Sequence, residues 1–362
     1  MHSSPLSLAQ LGWRPYFQQQ LSLEEVELLV SNSANERLYL GRVIEQHRSG
    51  VVAITETGVF KLSQTPIQAS ETDKLCVGDW VIFNHENRFM RLLDRQSLFE
   101  RKAPGSKVDT QLISSNVDSL FIVCSLNQDF KLNRIERYLA LAKEAEVEPI
   151  IVLTKADQCI DSDDKRQQVQ ALDPFMMVHA LNALDTSDLT ELSGYCKQGK
   201  TIALLGSSGV GKSTLVNGLM GVDTQLTSAI REDDSKGRHT TTSRALRLLP
   251  QGGLILDTPG MRELQLSACE QGVSETFSEI TELATQCRFA DCQHGDEPGC
   301  AVQKAIQQGK ITERRFISYQ KLMREQAFNS ATLAQKRAKD KAFGKMINTV
   351  QTESRSRKKG SY

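Results

Sequence analysis

The sequence has no net charge: 44 Lys and Arg stand against 44 Asp and Glu in 362 residues. That balance argues against a uniformly basic nucleic-acid binder and against an acidic disordered protein. It has no apolar run near the ~18 residues that a membrane span needs. The longest runs, such as Leu120–Cys124 and Pro149–Leu153, have the length of buried strands. No basic segment followed by an apolar core opens the chain, so neither a secretory signal nor a membrane partner is expected. Cysteine is sparse, at eight residues, which excludes a disulfide scaffold. Internal repeats and long low-complexity tracts are missing too. What remains is a globular composition, 39% hydrophobic and 24% charged, in a chain too long for one ordinary domain. A cytoplasmic, monomeric protein of two or three domains is the expectation.

The zero charge is an average of unlike parts. Residues 310–362 hold 14 Lys and Arg against 4 Asp and Glu, so the rest of the chain is acidic by the same margin. The stretch from Lys336 to Lys359 is the most basic. On charge alone it fits a solvated helix or an electrostatic arm for a phosphate backbone.

The pattern divides the chain into four parts. Residues 1–37 form an N-terminal extension with one helix signal, the capping-box spacing Ser22-x-x-Glu25 before Val26, Leu28 and Leu29. Residues 38–105 carry short β-type runs at Leu38–Ile44, Val51–Thr55, Val59–Leu62, Val77–Phe83 and Phe89–Leu93. Five short strands suit a small barrel of the oligonucleotide-binding (OB) type. The polar segment 100–110, with Pro104-Gly105, reads as a linker. Residues 106–268 alternate apolar strands (Ser119–Ser125, Pro149–Leu153, Phe175–Val178, Thr201–Leu205, Ala245–Leu249, Leu254–Leu256) with helices, which implies a mostly parallel sheet. Residues 269–362 form a small metal-binding, helical domain with the basic tail.

Gly206-Ser207-Ser208-Gly209-Val210-Gly211-Lys212-Ser213-Thr214 matches the phosphate-loop pattern between an apolar strand and a helix, the context that motif requires. Glycines let backbone N–H groups wrap the phosphates, and the helix N-terminus adds positive potential. Lys212 is placed to reach the β- and γ-phosphates and Ser213 to ligate Mg²⁺. Asp257-Thr-Pro-Gly260 supplies the second half of such a site: Asp257 can hold Mg²⁺ through water, and the Gly260 N–H can meet the γ-phosphate. Thr154-Lys155-Ala156-Asp157 follows a strand and is similar to the guanine-reading Asn-Lys-x-Asp motif. A carboxylate at Asp157 can accept from guanine N1–H and the exocyclic amine, a pattern adenine lacks. The methylene stem of Lys155 can lie along the base. Thr154 replaces the usual Asn and removes one amide from the loop. Val178-His179-Ala180 is the candidate for the next base loop.

The base-reading motif precedes the phosphate loop, the reverse of the ordinary GTPase order. This implies a circular permutation of the same sheet, which is topologically cheap when termini lie close together. The segment after Asp257–Gly260 then leads directly into the C-terminal module.

That module contains Cys287, Cys292, His294 and Cys300, three thiolates and one imidazole within 14 residues. A full Cys₃His set has no open position, so the expected role is structural zinc that fixes a segment with little core of its own. A metal-dependent hydrolase is disfavoured for the same reason.

These motifs, with Gly237-Arg238-His239-Thr240-Thr241-Thr242 and Gln111–Asp118, resemble the circularly permuted GTPases that act in small ribosomal subunit maturation. The resemblance implies an OB barrel, a permuted GTPase and a zinc module in that order. It also implies GTP and GDP as ligands, the 30S subunit and its 16S rRNA as partners, and GTP hydrolysis stimulated by that subunit in late assembly. One of three consecutive threonines is expected to join Ser213 on Mg²⁺, with Thr241 put forward. Met261 stands where many GTPases orient water with Gln, so slow intrinsic turnover follows. His239 is the local substitute put forward. An RNA-binding module whose nucleotide site only senses state, and an ATP-using phosphate-loop enzyme, are the competing readings.

Overall fold

The computed structural model describes residues 6–33, 35–47, 50–63, 74–102, 110–221, 244–257 and 269–330. The N-terminal segment forms α1 (Pro15–Gln18) and α2 (Leu23–Leu29). The capping box is made in full: Glu25 N–H donates to Ser22 Oγ at 3.1 Å, and Ser22 N–H to Glu25 Oε2 at 2.8 Å.

Five antiparallel strands follow: β1 (Leu38–His47), β2 (Gly50–Thr55), β3 (Gly58–Ser63), β4 (Trp80–Asn84) and β5 (Phe89–Leu92), in the order β3-β2-β1-β4-β5. Among the described residues these strands form one antiparallel module, and no ladder among them joins β3 to β5. β4 is apolar from Trp80 to Phe83 because both its faces are covered there. Val81 and Phe83 enter one core with Val43, Val51 and Leu62, whereas Trp80 and Ile82 enter another with Leu11 and Phe17 of the N-terminal segment. The period-2 alternation of a strand sends neighbouring side chains to opposite faces.

The two ends of the expected linker lie in strands, and residues 103–109 between them lie outside the described residues. β6 (Leu98–Lys102) and β7 (Thr110–Ser115) run antiparallel, with Arg101 opposite Gln111. Backbone pairing satisfies a polar, charged stretch whose composition alone suggests a loop. The expected domain boundary at 105/106 falls on residues outside those described.

The second half holds β8 (Ser119–Ser125), α3 (Leu132–Glu144), β9 (Glu148–Thr154), α4 (Ser162–Gln170), β10 (Met177–Leu181), α5 (Thr186–Leu189), β11 (Thr201–Leu205), α6 (Lys212–Leu219), β12 (Arg244–Leu248) and β13 (Leu254–Asp257). The strand order is β10-β9-β8-β11-β13-β12, parallel except for β12. β8 and β11 are buried along their whole length, the mark of central strands covered on both faces. β10 begins two residues later than its apolar pattern suggests. Gln170 Nε2 donates to the carbonyls of Asp173, Pro174 and Met176, holding that stretch in a turn and leaving Phe175 exposed.

The two halves share one sheet. β1 pairs antiparallel with β12, Glu45 opposite Ala245 and Gln46 opposite Arg244. Arg42, fully buried, donates to the carbonyls of Leu11, Gly78 and Asn116, joining the N-terminal segment, the antiparallel module and the start of the parallel sheet. Burial lowers its pKa to about 10, so it stays charged at neutral pH. Asp79, also buried, receives both prongs of Arg95 and the hydroxyl of Ser115.

The C-terminal helices are α7 (Glu270–Thr276), α8 (Ser278–Ala284), α9 (Ala301–Gln307) and α10 (Glu313–Ser330). They share a continuous core with the parallel sheet, in which Leu120, Ile122 and Leu139 meet Phe277, Val302 and Leu322. Only glycine lets α7 lie this close to α3: a Cβ at Gly272 would collide with the Ala140 carbonyl. The basic stretch Lys336–Lys359 lies outside the described residues.

Candidate nucleotide site and metal cluster

The carboxyl ends of β8, β9, β11 and β13 form one edge of the parallel sheet, the usual location of ligands in such folds. The phosphate loop leaves β11 there. Gly206 and Val210 are buried, whereas Ser208 and Gly209 face solvent. Gly211 takes a left-handed conformation, φ 96°, and turns the chain into α6, whose first turn carries Lys212, Ser213 and Thr214. Lys212 Nζ donates to the carbonyls of Gly206 (2.6 Å) and Ser207, so its charge sits inside the loop.

The base-reading segment leaves β9 beside it. Thr154 is fully buried, and its hydroxyl donates to the Val210 carbonyl at 2.6 Å. Lys155 is left-handed, φ 61°, and its Nζ donates to the Gly209 carbonyl at 3.2 Å. Asp157 lies exposed on the short 3₁₀ turn Ala156–Gln158. Segments about 50 residues apart in the chain are thus joined by two hydrogen bonds from consecutive residues. β13 brings the backbone of Asp257 to the same edge, next to β11. Gly260, His239 and Thr241 lie outside the described residues, as does the side chain of Asp257.

Val178-His179-Ala180 is not a loop. These residues lie in β10, where His179 Nδ1 is 3.0 Å from Glu191 Oε2 and its Nε2 is 3.2 Å from Tyr195 Oη. Leu181 is opposite Thr154, so the loop that reaches the site from this strand is Asn182–Asp185. β10 begins and ends later than its apolar pattern suggests, which carries Val178–Ala180 into the strand.

The second cluster is closed. The ligand atoms of Cys287, Cys292, His294 and Cys300 all lie within 4.8 Å of one another. His294 Nδ1 is 3.6 Å from Cys287 Sγ and 3.5 Å from Cys300 Sγ. Burial pushes the Cys287 thiol up, but hydrogen bonds from the backbone N–H groups of Ala301 and Val302 and from Cys300 and Cys292 together hold it below its usual range. Gln303 Nε2 donates to the His294 carbonyl at 2.6 Å and fixes the left-handed turn that aims the imidazole inward. Four converging soft donors fit a tetrahedral metal ion and leave no place for a substrate.

Sequence reasoning misses the joint between this module and the sheet. Glu136 of α3, with no exposed surface, receives Arg314 at 2.9 Å and Arg315 at 2.8 Å from α10. Arg315 also pairs with Glu279 and lies 4.2 Å from the centre of the Phe277 ring. The one trace in the sequence is Glu136 standing on the apolar stretch of α3 with Ile135, Leu139 and Ala140, beside Arg137.

Together the fold and site define a phosphate-loop GTPase whose base-reading strand precedes its phosphate-binding strand. The RsgA GTPase family profile matches residues 92–267, and the small ribosomal subunit biogenesis GTPase RsgA 2 of Vibrio parahaemolyticus is 55% identical over 98% of this chain and 95% of its own. The chain belongs to the RsgA family. The RsgA protein of Mesorhizobium japonicum is 45% identical over 91% of this chain and 92% of its own. Among solved structures, YjeQ from Thermotoga maritima is similar at a TM-score of 0.59 and 27% identity, over 80% of this chain and 98% of its own. YloQ, described as a circularly permuted GTPase, is similar in fold at 0.57 and 24% identity, over 83% and 99%.

Proposed function

We propose that this chain is a GTPase that acts on the small (30S) ribosomal subunit late in its maturation, turning over slowly alone and faster on the subunit. The observation that carries the reading is the fastening of the base-reading loop to the phosphate loop through Thr154 and Lys155. It sets a guanine-reading carboxylate and a phosphate cradle at one sheet edge.

Each residue then has a task. Backbone N–H groups of Gly206–Gly211 hold the phosphates, with the first turn of α6 behind them. Lys212 moves its charge from the Gly206 and Ser207 carbonyls to the β- and γ-phosphate oxygens. Ser213, one switch threonine (Thr241 put forward) and Asp257 would hold magnesium, which supplies neutralisation of charge between the β- and γ-phosphates. Gly260 offers an N–H to the γ-phosphate, and His239 orients the attacking water. Asp157 selects guanine. Cys287, Cys292, His294 and Cys300 would hold zinc, which fixes the platform from which α10 and the basic tail extend toward 16S rRNA phosphates. The chain works as a cytoplasmic monomer.

The test is GTP hydrolysis with and without purified 30S subunits. A clear rise with subunits supports the reading, and equal rates remove it. Asp157→Asn is expected to weaken GTP by ~100-fold, since two charge-assisted hydrogen bonds are lost, and to improve binding of xanthosine triphosphate. Unchanged base preference would remove Asp157 from recognition.

A further inference from the structure

The hydroxyl of Thr154 has two neighbours, the Val210 carbonyl at 2.6 Å and the Cys124 carbonyl at 3.4 Å. Both can only accept, so the hydroxyl must donate, and it carries a single proton. Burial removes any solvent alternative, since Thr154 has no exposed surface. An amide at the same position carries two N–H donors and can serve the phosphate loop and the base together. Lys155 donates one of its three ammonium protons to Gly209 O.

We infer that guanine is selected here through N1–H and the exocyclic amine, with no hydrogen bond from residue 154 to the base at N7. The inference rests on the GTP reading above. Thr154 is then a positioning residue: it sets the distance between the base-reading loop and the phosphate loop and leaves the base itself to Asp157. The packing agrees, because a Cβ added at Gly211 would lie 3.5 Å from the Thr154 hydroxyl, directly beneath the turn into α6.

The experiment compares GTP, 7-deaza-GTP and ATP by equilibrium binding to the full-length protein. In 7-deaza-GTP a C–H replaces N7, and every other recognition group stays. Wild-type protein is expected to bind GTP and 7-deaza-GTP within about threefold, the lower range of one lost hydrogen bond. Thr154→Asn is expected to open a gap of more than about threefold by restoring a second donor. Thr154→Val keeps the shape but lacks the proton. It is expected to weaken both nucleotides by the same factor, with rescue by Thr154→Ser.

A wild-type preference for GTP over 7-deaza-GTP beyond about threefold overturns the inference, as does a change of that ratio in Thr154→Val. ATP bound as well as GTP would instead overturn the GTP reading, a separate result. If Thr154→Asn does not fold, the wild-type comparison decides alone.

Discussion

Lys212→Ala is expected to lower subunit-stimulated GTP turnover by roughly 10²–10³-fold at saturating GTP, the usual loss when one preorganised charge is removed from a transition state. The reason lies in where its ammonium sits. It is held by the Gly206 and Ser207 carbonyls at the mouth of the loop, so little reorganisation separates that position from the phosphates. Charge accumulates on the β–γ bridge and leaving oxygens as the bond breaks, so the effect should fall more on kcat than on nucleotide affinity. Metal content and helicity should stay at wild-type values, because the hydrogen bonds of Lys212 to Gly206 and Ser207 lie within its own loop. Turnover within about tenfold of wild type would remove Lys212 from the chemistry.

Glu136→Ala should have the largest effect on stability. It leaves Arg314 and Arg315 facing a buried site without their shared carboxylate, and breaking such a pair from one side costs about 3–5 kcal/mol. Arg315 keeps Glu279 and the Phe277 face, but Arg314 keeps only Asn133. The loss should appear in residues 270–330 first, as amide exchange accelerated by ~10²–10³-fold, while β1–β5 exchange as before. Arg314→Ala should cost less, because that side chain is 38% exposed and Arg315 still neutralises Glu136. Uniform acceleration across the chain would mean that α3 is no local joint. Thr154→Val and Glu136→Ala act on separate contacts, so their effects on binding and stability should add.

Much of the site is legible in the sequence because its chemistry is local. A phosphate loop needs glycines and a lysine at fixed spacing, and the structure delivers Gly206–Ser213 to the end of a buried strand as that spacing requires. The Cys₃His set spans 14 residues, few enough for the chain to close on itself. Strands β8 and β11 agree with their apolar runs residue for residue, because a run buried on both faces has sharp ends. Pattern fails where polar groups decide. Gln170 turns the Phe175 region away from β10, and backbone pairing makes strands of both ends of a stretch that reads as a linker.

The sequence by itself determined the phosphate-loop segment, the Thr154–Asp157 segment, their reversed order and the Cys₃His set. Each is a short segment whose function depends on spacing. Only the tertiary structure decided what Thr154 does with its single proton, which strand joins the antiparallel module to the parallel sheet, and which buried carboxylate receives the Arg pair of α10. These depend on partners far away in the chain: 56 residues from Thr154 to Val210 and 179 from Glu136 to Arg315. A hydroxyl or a buried charge has no preference of its own. Its role is set by whichever acceptor or counter-charge the fold brings within about 3 Å.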